Sequence, residues 1–202
     1  MIDLGILSRS SRGIRARTAF LAFGFALALG CLASEAGAQA TYTADRINGF
    51  SVFGGVSYLN TDYGATDTGY LFGADFTHSI GLRLITPSLE VRYNGSTGKA
   101  ITQNSFLVGL KVETKFHKLR PYVTGLIGHG NIHYVGAGQS DDSIAYDFGV
   151  GADYDVYGPF ALKVDAQEQF WKLGQATSAL TPQMVSVGVV YRIPSGFLRR
   201  SR

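Results

Sequence analysis

Apolar and polar residues alternate with a period of two along most of the chain after residue 40. Between residues 105 and 116 the even-numbered positions are almost all apolar, whereas the odd-numbered positions include Gly109, Lys111 and Glu113. Residues 144–156 repeat this pattern, with apolar residues at even positions and mainly Gly and Asp at odd ones. A period of two predicts β-strands whose two faces meet different surroundings. No later apolar run is long enough for a membrane helix.

The same alternation predicts eight antiparallel strands. The predicted strands are residues 48–60, 69–80, 84–94, 105–116, 120–133, 144–156, 160–171 and 184–193. Short turns are predicted near 79–82, 117–118 and 157–159, and longer polar links at 61–68, 95–103, 134–143 and 172–182. An even number of antiparallel strands places both chain ends at the rim with the short turns. We therefore predict an all-β, up-and-down eight-stranded barrel.

Two kinds of eight-stranded barrel fit this alternation. A soluble barrel keeps its apolar face inside, whereas a membrane barrel turns it outward and keeps polar residues in the lumen. The apolar faces carry aromatic residues near both strand ends, as in Phe106 with Phe116 and Tyr146 with Tyr154. Such positions are typical of the aromatic girdles at membrane interfaces. The opposite faces combine Gly with charges of both signs, and we therefore predict a transmembrane β-barrel.

The charged positions on the predicted inward faces form a candidate site. We expect a lumen charge network made of Asp75, Glu90, Arg92, Lys111, Glu113, Lys115, Asp147, Asp153, Asp155, Lys163, Asp165 and Arg192. An eight-stranded lumen is only wide enough for side chains, so these groups would be buried. Burial of unpaired charges is costly, and pairing between the two signs would stabilise them.

The first forty residues resemble a secretory signal peptide. Four arginines precede a run of sixteen mostly apolar residues, 18–33, and small residues with Ala-x-Ala spacing follow at 36–40. As a helix this run would span roughly 24 Å, less than a ~30 Å hydrocarbon core. We predict a signal peptide over residues 1–38, cleaved after residue 38 or 40. Lipidation at Cys31 is the alternative, although Ala28 stands where lipoprotein signals usually have Leu.

The net charge of +3 belongs to the ends of the chain. The predicted signal peptide holds four arginines, and the last four residues hold three more. Residues 41–198 contain eleven basic and thirteen acidic side chains, so the barrel itself is slightly acidic. This composition gives no basic surface for nucleic acid. Residues 41–193 are the predicted barrel, and residues 194–202 form a basic tail.

The last predicted strand carries the most specific local motif. Its sequence from Ser186 to Ile193, Ser-Val-Gly-Val-Val-Tyr-Arg-Ile, resembles the assembly signal of the OmpA/OmpX-like superfamily of small outer-membrane barrels. The resemblance covers residues 47–193 and implies an outer-membrane location, with the tail in the periplasm. It also implies that Ser186, Gly188, Tyr191 and Ile193 are read by the outer-membrane insertion machinery. The last position is usually aromatic in that superfamily, and here it is Ile193.

The sequence does not predict a catalytic or metal-binding site. His129 and His133 lie on a predicted strand, where four residues separate them by roughly 13–14 Å, too far for one ion. No His-x-Ser motif of the barrel-shaped deacylases is present. Phe170 and Trp171 are expected to be interface anchors. We therefore predict no catalytic residue, no metal site and no cofactor.

These expectations together favour a monomeric, non-enzymatic outer-membrane barrel. Its expected role is structural, or adhesion-like through four polar extracellular loops, with membrane lipid and the insertion machinery as partners and no nucleic acid. The sequence identifies no extracellular partner. A narrow ion-conducting channel is the first alternative, because Gly73, Gly109, Gly149, Gly151 and Gly188 could leave room for water in the lumen. A soluble periplasmic ligand-binding barrel is the second.

Overall fold

The computed structural model describes most of the predicted barrel. The described residues are 48–60, 66–78, 85–98, 101–136, 138–172 and 180–194. The predicted signal peptide, and the predicted tail apart from Pro194, lie outside these residues. Among the residues that are described, no helix is long and apolar enough to cross a membrane.

Eight antiparallel strands make one closed barrel, in which each strand pairs with its neighbours in sequence and β8 pairs with β1. The strands are β1 (Asn48–Asn60), β2 (Thr66–His78), β3 (Thr86–Thr97), β4 (Ile101–Glu113), β5 (Leu119–Tyr134), β6 (Gln139–Tyr157), β7 (Phe160–Trp171) and β8 (Gln183–Ile193). The predicted up-and-down topology is confirmed. We call the end where β1 begins and β8 ends the terminal rim, and the opposite end the loop rim.

The strands extend further toward the loop rim than the alternation predicts. Residues 98–100 alone separate β3 from β4, and residues 135–138 separate β5 from β6, so the predicted long links 95–103 and 134–143 are wrong. Only the link at 172–182 keeps its predicted length. The reason is that polar residues pair with polar residues here, as in Thr97 with Thr102. Outside the membrane both faces of a strand can be polar, and the apolar alternation then disappears.

The strands are staggered around the barrel. The path of directly paired residues from Phe50 leads once around the sheet and returns to β1 at Asn60, ten residues further along the strand. A stagger of this kind is what tilts the strands of a closed barrel against its axis. It also determines which inward side chains meet across the lumen.

Two tight turns at the terminal rim have the left-handed backbone that reverses a hairpin. Gly158 between β6 and β7 has φ of 54°, a conformation that glycine adopts without steric cost. His117 between β4 and β5 has the same φ of 54°, although it carries a side chain. Both turns lie where the sequence predicts them.

The outward face is apolar, and its aromatic residues collect near the two rims. Directly paired aromatic residues on this face are Phe50–Phe76 and Phe160–Tyr191 toward the terminal rim, and Phe72–Tyr93, Tyr93–Phe106 and Tyr146–Phe170 toward the loop rim. Between these rows lie aliphatic side chains such as Leu110 and Val164, which are more than half exposed. An exposed aliphatic band between two aromatic rows is the surface that a lipid bilayer covers.

An apolar cluster fills the lumen near the loop rim. It contains Ile101, Leu107, Leu126, Ile132, Ala145 and Trp171. Trp171 is fully buried, so the expectation that it anchors the barrel at the membrane interface is wrong, whereas Phe170 does face outward. The indole of Trp171 packs directly against Gly130, where a Cβ would overlap the ring. We call this cluster the apolar cap.

Candidate functional site: the charged lumen

Most of the charged residues in the predicted network lie on the inward side of the barrel. These are Asp75, Glu90, Arg92, Lys111, Glu113, Asp147, Asp153, Asp155, Lys163, Asp165 and Arg192. Three of them, Glu90, Arg92 and Asp147, have no exposed surface at all. Since the lumen side chains have lost most of their contact with water, each charge depends on its protein neighbours.

Arg92 connects opposite walls of the barrel. Its Nη1 and Nη2 donate to the two carboxylate oxygens of Asp165, at 3.2 and 3.0 Å, and its Nε donates to Glu90 Oε1 at 2.6 Å. Arg92 is on β3 and Asp165 is on β7, four strands away, so this bidentate ion pair crosses the lumen. Asp165 also accepts from the hydroxyl of Tyr122 at 2.8 Å and from the amide of Gln167. Charge-assisted, bidentate bonds of this kind fix geometry as well as charge.

Lys111 lies closer to the terminal rim and contacts side chains on three other strands, β2, β5 and β6. Its ammonium donates to Asp75 Oδ2 on β2 at 3.0 Å and to Asp153 Oδ2 on β6 at 3.4 Å. The carboxylate of Glu113, on the same strand, lies 3.5 Å away. The ammonium also lies 4.4 Å from the centre of the Tyr122 ring. One buried cation is therefore shared between three carboxylates and an aromatic face.

Lys163 is held more by rings than by carboxylates. Its ammonium lies 4.1 Å from the centre of the Tyr122 ring and 4.6 Å from that of Phe53. The nearest carboxylate oxygens belong to Asp153 at 3.7 Å and Asp165 at 4.0 Å, beyond hydrogen-bond distance. Desolvated cation–π contacts of this kind contribute about 2 kcal/mol. Lys163 thus places positive charge between the Arg92 and Lys111 clusters without donating a hydrogen bond among the described residues.

A separate group of ion pairs closes the lumen at the terminal rim. Arg192 pairs with Asp155 and lies 3.5 Å from Asp153. Arg120 lies 3.3 Å from Asp155 and 3.4 Å from Glu113. Arg120 was not predicted, because it stands at the first position of its predicted strand. Extending the alternation of β5 back from Tyr122 would have placed it on the inward face.

The structure does not bring Lys115 into this network. Lys115 lies beyond the end of β4, in the turn before β5, and its side chain is exposed. Partial burial and the neighbouring Arg120 lower the pKa of its ammonium. The charged lumen therefore contains Arg120 where Lys115 was expected. Among the described residues it has five cations and seven carboxylates, counted without Asp67 near the loop rim.

Neutral polar side chains link the charged lumen to the apolar cap. Asp147 accepts a hydrogen bond from Nε2 of Gln169 at 3.0 Å, and Oε1 of Gln169 accepts from the indole of Trp171 at 2.9 Å. Asn94 donates to Gln167 across the lumen at 3.3 Å. The two glutamines were missed at the sequence level because only charged residues were considered for the inward face.

Little open space remains between these side chains. A cavity beside Asn94, Gln103 and Gln169 has a volume of about 10 Å³, which is roughly the room needed for one water molecule. Two of the glycines that were expected to leave space, Gly73 and Gly151, face aromatic side chains instead. A Cβ at Gly73 would come within 2.5 Å of the Phe53 ring, and the hydroxyl of Tyr122 occupies the same place beside Gly151.

The residues of the predicted assembly signal divide between the two faces of β8. Ser186 is buried on the inward side and is paired with Asp165 and Ser57. Gly188 also faces inward, whereas Tyr191 and Ile193 face outward toward the terminal rim. The Tyr191 ring lies 5.1 Å from that of Phe160.

The two histidines of the H-x-x-x-H motif lie on the outward face of β5 near the loop rim. His129 is 3.3 Å from Asp142, and His133 shares a hydrogen bond of 2.9 Å with Ser140. Each histidine therefore has a separate partner on β6. Over the residues described, no group of three or more metal-binding side chains is gathered in one place.

An apolar, aromatic-bordered outer face around a charged interior distinguishes a membrane barrel from a soluble one. Residues 16–192 match the family model described as "Outer membrane protein beta-barrel domain". The chain belongs to this outer-membrane β-barrel family. It is accordingly an outer-membrane protein, and the soluble periplasmic alternative is wrong.

Solved structures of other outer-membrane barrels resemble this family member. Neisserial surface protein A is 12% identical, with a TM-score of 0.51, and the match covers 72% of this chain and 97% of that one. A major outer membrane protein from Thermus thermophilus is 13% identical (TM-score 0.49; 73% and 100% covered). The N-terminal barrel domain of OprF from Pseudomonas aeruginosa is 18% identical (TM-score 0.46; 71% and 97% covered). No curated protein matches the chain significantly in sequence.

The first prediction concerns the ion pair that crosses the barrel. Arg92→Met should lower the free energy of unfolding by about 3–5 kcal/mol, because it leaves two buried carboxylates without their cation. Arg92→Lys should cost less, since it keeps the charge and loses only the bidentate geometry. Urea unfolding of the barrel in phospholipid vesicles, followed by gel mobility without heating, measures both.

Lys172→Met is the matched control, because it removes an exposed cation. It should change the free energy of unfolding by no more than about 0.5 kcal/mol. Equal costs for Arg92→Met and Lys172→Met would show that the cross-lumen pair contributes no more to stability than an exposed charge does.

Proposed function

We propose that this protein is a closed, non-enzymatic barrel that stabilises the outer membrane and presents a rigid polar hairpin at the cell surface. The observation that carries the first part is the Arg92–Asp165 pair across the lumen. Together with the apolar cap and the ion pairs at the terminal rim, it fills much of the lumen among the described residues, which supports a barrel that is closed to solutes. These contacts favour a structural role over the narrow channel that was the alternative.

The second prediction is that the folded barrel conducts no ions. In planar bilayers the purified protein should show no discrete conductance steps, because its lumen charges are paired with one another. Heat-modifiable gel mobility of the same sample shows that the inserted protein is folded. Steps that disappear in Lys111→Glu or Glu113→Lys would instead establish the channel, since both residues lie inside the lumen.

The surface role is supported by the shape of the loop rim. Three of its four links are five residues or shorter, so they offer less surface than the four long loops that were expected. The β5–β6 hairpin supplies the exposed surface instead. Toward the loop rim, the pairing of β6 with β7 ends at Ala145. Beyond Ala145, out to Gln139, β6 is paired only with β5 among the described residues.

Side-chain bonds make this hairpin a defined surface. Asn131 donates to Asp142 at 2.8 Å, and Asp142 also lies beside His129. The pair His133–Ser140 continues the same ladder toward the tip. Apart from Val135 and Ile144, the exposed residues with side chains in this hairpin are polar. We therefore propose that a partner binds them through hydrogen bonds and charge, with the loop rim outside the cell.

The third prediction tests this surface. Cells that produce the barrel should adhere to other cells more strongly than non-producing cells, and the variant Asp141→Ser/Asp142→Ser/His133→Ser should lose most of that gain. Adherence per cell is the measurement, at equal amounts of folded barrel in the outer membrane. Lys118→Ser, at the opposite rim, should keep the gain. A purely structural barrel would give no gain to lose.

We propose that the insertion machinery recognises β8 through the outward residues Tyr191 and Ile193. The fourth prediction is that Tyr191→Ser lowers the amount of barrel in the outer membrane several-fold, whereas Ile193→Phe leaves it equal or raises it. Tyr146→Ser is the matched control, because Tyr146 is an outward aromatic residue on a different strand. Equal losses for the two tyrosine variants would indicate lost lipid contact rather than lost recognition.

A further inference from the structure

The β4–β5 turn at the terminal rim differs from the other described tight turn at that rim. Both turns contain one residue with φ of 54°, which is Gly158 in one turn and His117 in the other. For an L-residue this conformation is less favourable than for glycine. Gly158 lies between Tyr157 and Pro159, whereas His117 lies close to Lys115 and Lys118. A residue with a side chain at a glycine-like position, in a basic segment, points to a role for that side chain.

The turn carries two lysines that make no direct ion pair with the described residues. Lys115, His117 and Lys118 are all exposed. The nearby carboxylates are already occupied, because Glu113 and Asp155 lie beside Arg120 and Asp155 also pairs with Arg192. Partial burial, followed by the charge of Arg120, lowers the pKa of Lys115, whereas Asp155 and Glu113 act in the opposite direction.

Apolar residues fix the depth of this turn in the membrane. Phe116 and Leu119 exchange two backbone hydrogen bonds of 2.8 Å at the base of the turn. Leu119 is paired in turn with Tyr154, an outward aromatic residue near the terminal rim. The basic residues therefore lie immediately outside the aromatic row, at the level of the lipid head groups. Long lysine side chains at this level reach head groups while their stems contact apolar surface.

We infer that the β4–β5 turn binds the phosphate of an anionic membrane lipid through Lys115, Lys118 and the exposed ring of His117. The two ammonium groups and the imidazole at the tip of this hairpin suit a phosphodiester, which is a compact anion with several acceptor oxygens. The aromatic row next to them accommodates the acyl chains of the same lipid. A lipid therefore satisfies both parts of the site, whereas free phosphate satisfies only one.

The fifth prediction compares lipid retention by native mass spectrometry. The barrel is released from nanodiscs that contain phosphatidylglycerol in phosphatidylcholine. Phosphatidylglycerol adducts should be retained on the wild type and fall more than tenfold in Lys115→Gln/Lys118→Gln, from about fivefold for each lysine near a membrane surface. Phosphatidylcholine adducts should not change. All variants keep the C-terminal arginines, so these cannot explain a difference.

Two controls separate this site from general effects of charge and folding. Lys172→Gln removes an exposed lysine near the loop rim and should leave the adducts unchanged. His117→Gly should keep or improve folding, as judged by heat-modifiable mobility, and still lower phosphatidylglycerol retention. Equal retention in the wild type and the double-lysine variant, or an equal loss in Lys172→Gln, would overturn the inference. Displacement of the lipid by inorganic phosphate would assign the turn to free anions instead.

Discussion

Pairing between β1 and β8, from Phe50–Ile193 to Asn60–Gln183, turns an eight-stranded sheet into a barrel. A lipid bilayer offers no partner for backbone N–H and C=O groups, so a sheet can cross it only when no edge remains. Closure satisfies that requirement and at the same time sets the stagger of ten residues. Strand number and stagger together fix the width of the lumen. The inward side chains must then fill a lumen whose width is set by the backbone.

The narrow lumen explains why glycine and charge occur together in this chain. Arg92 can reach Asp165 on the opposite wall because the two walls are about one long side chain apart. Large rings fit between them where the directly paired residue on the neighbouring strand has no side chain, as Tyr122 does beside Gly151. The same ring then contacts both buried lysines. Glycine on one strand thus makes room for the aromatic group that stabilises a cation on another.

The sequence was informative wherever lipid lies on one side of a strand. Alternation there predicted the strands, their order and the inward face, but it disappears above the membrane, and the extension of β3 to β6 was missed for that reason. Partners within the lumen depend on the stagger, which a single sequence does not reveal. Residues an even number of positions apart on one strand share a face. Since Phe160 faces outward, this rule places Phe170 outward and Trp171 inward, and it could have been applied to the sequence. Lys115 has the parity of Lys111 but lies after β4 has ended.

The lumen charges distinguish the two faces of the sheet more than they add to its stability. Buried ion pairs gain little over well-packed apolar groups of similar volume. A shift of one residue in strand pairing, however, would exchange the faces and move Arg92, Lys111 and Lys163 into lipid. Each such cation at the middle of a bilayer costs about 2–4 kcal/mol. Three of them would remove most of the roughly 5–15 kcal/mol by which a typical protein is stable. An apolar lumen would leave both faces acceptable to lipid, so the paired charges are what makes one register and one orientation of the strands decisively favourable.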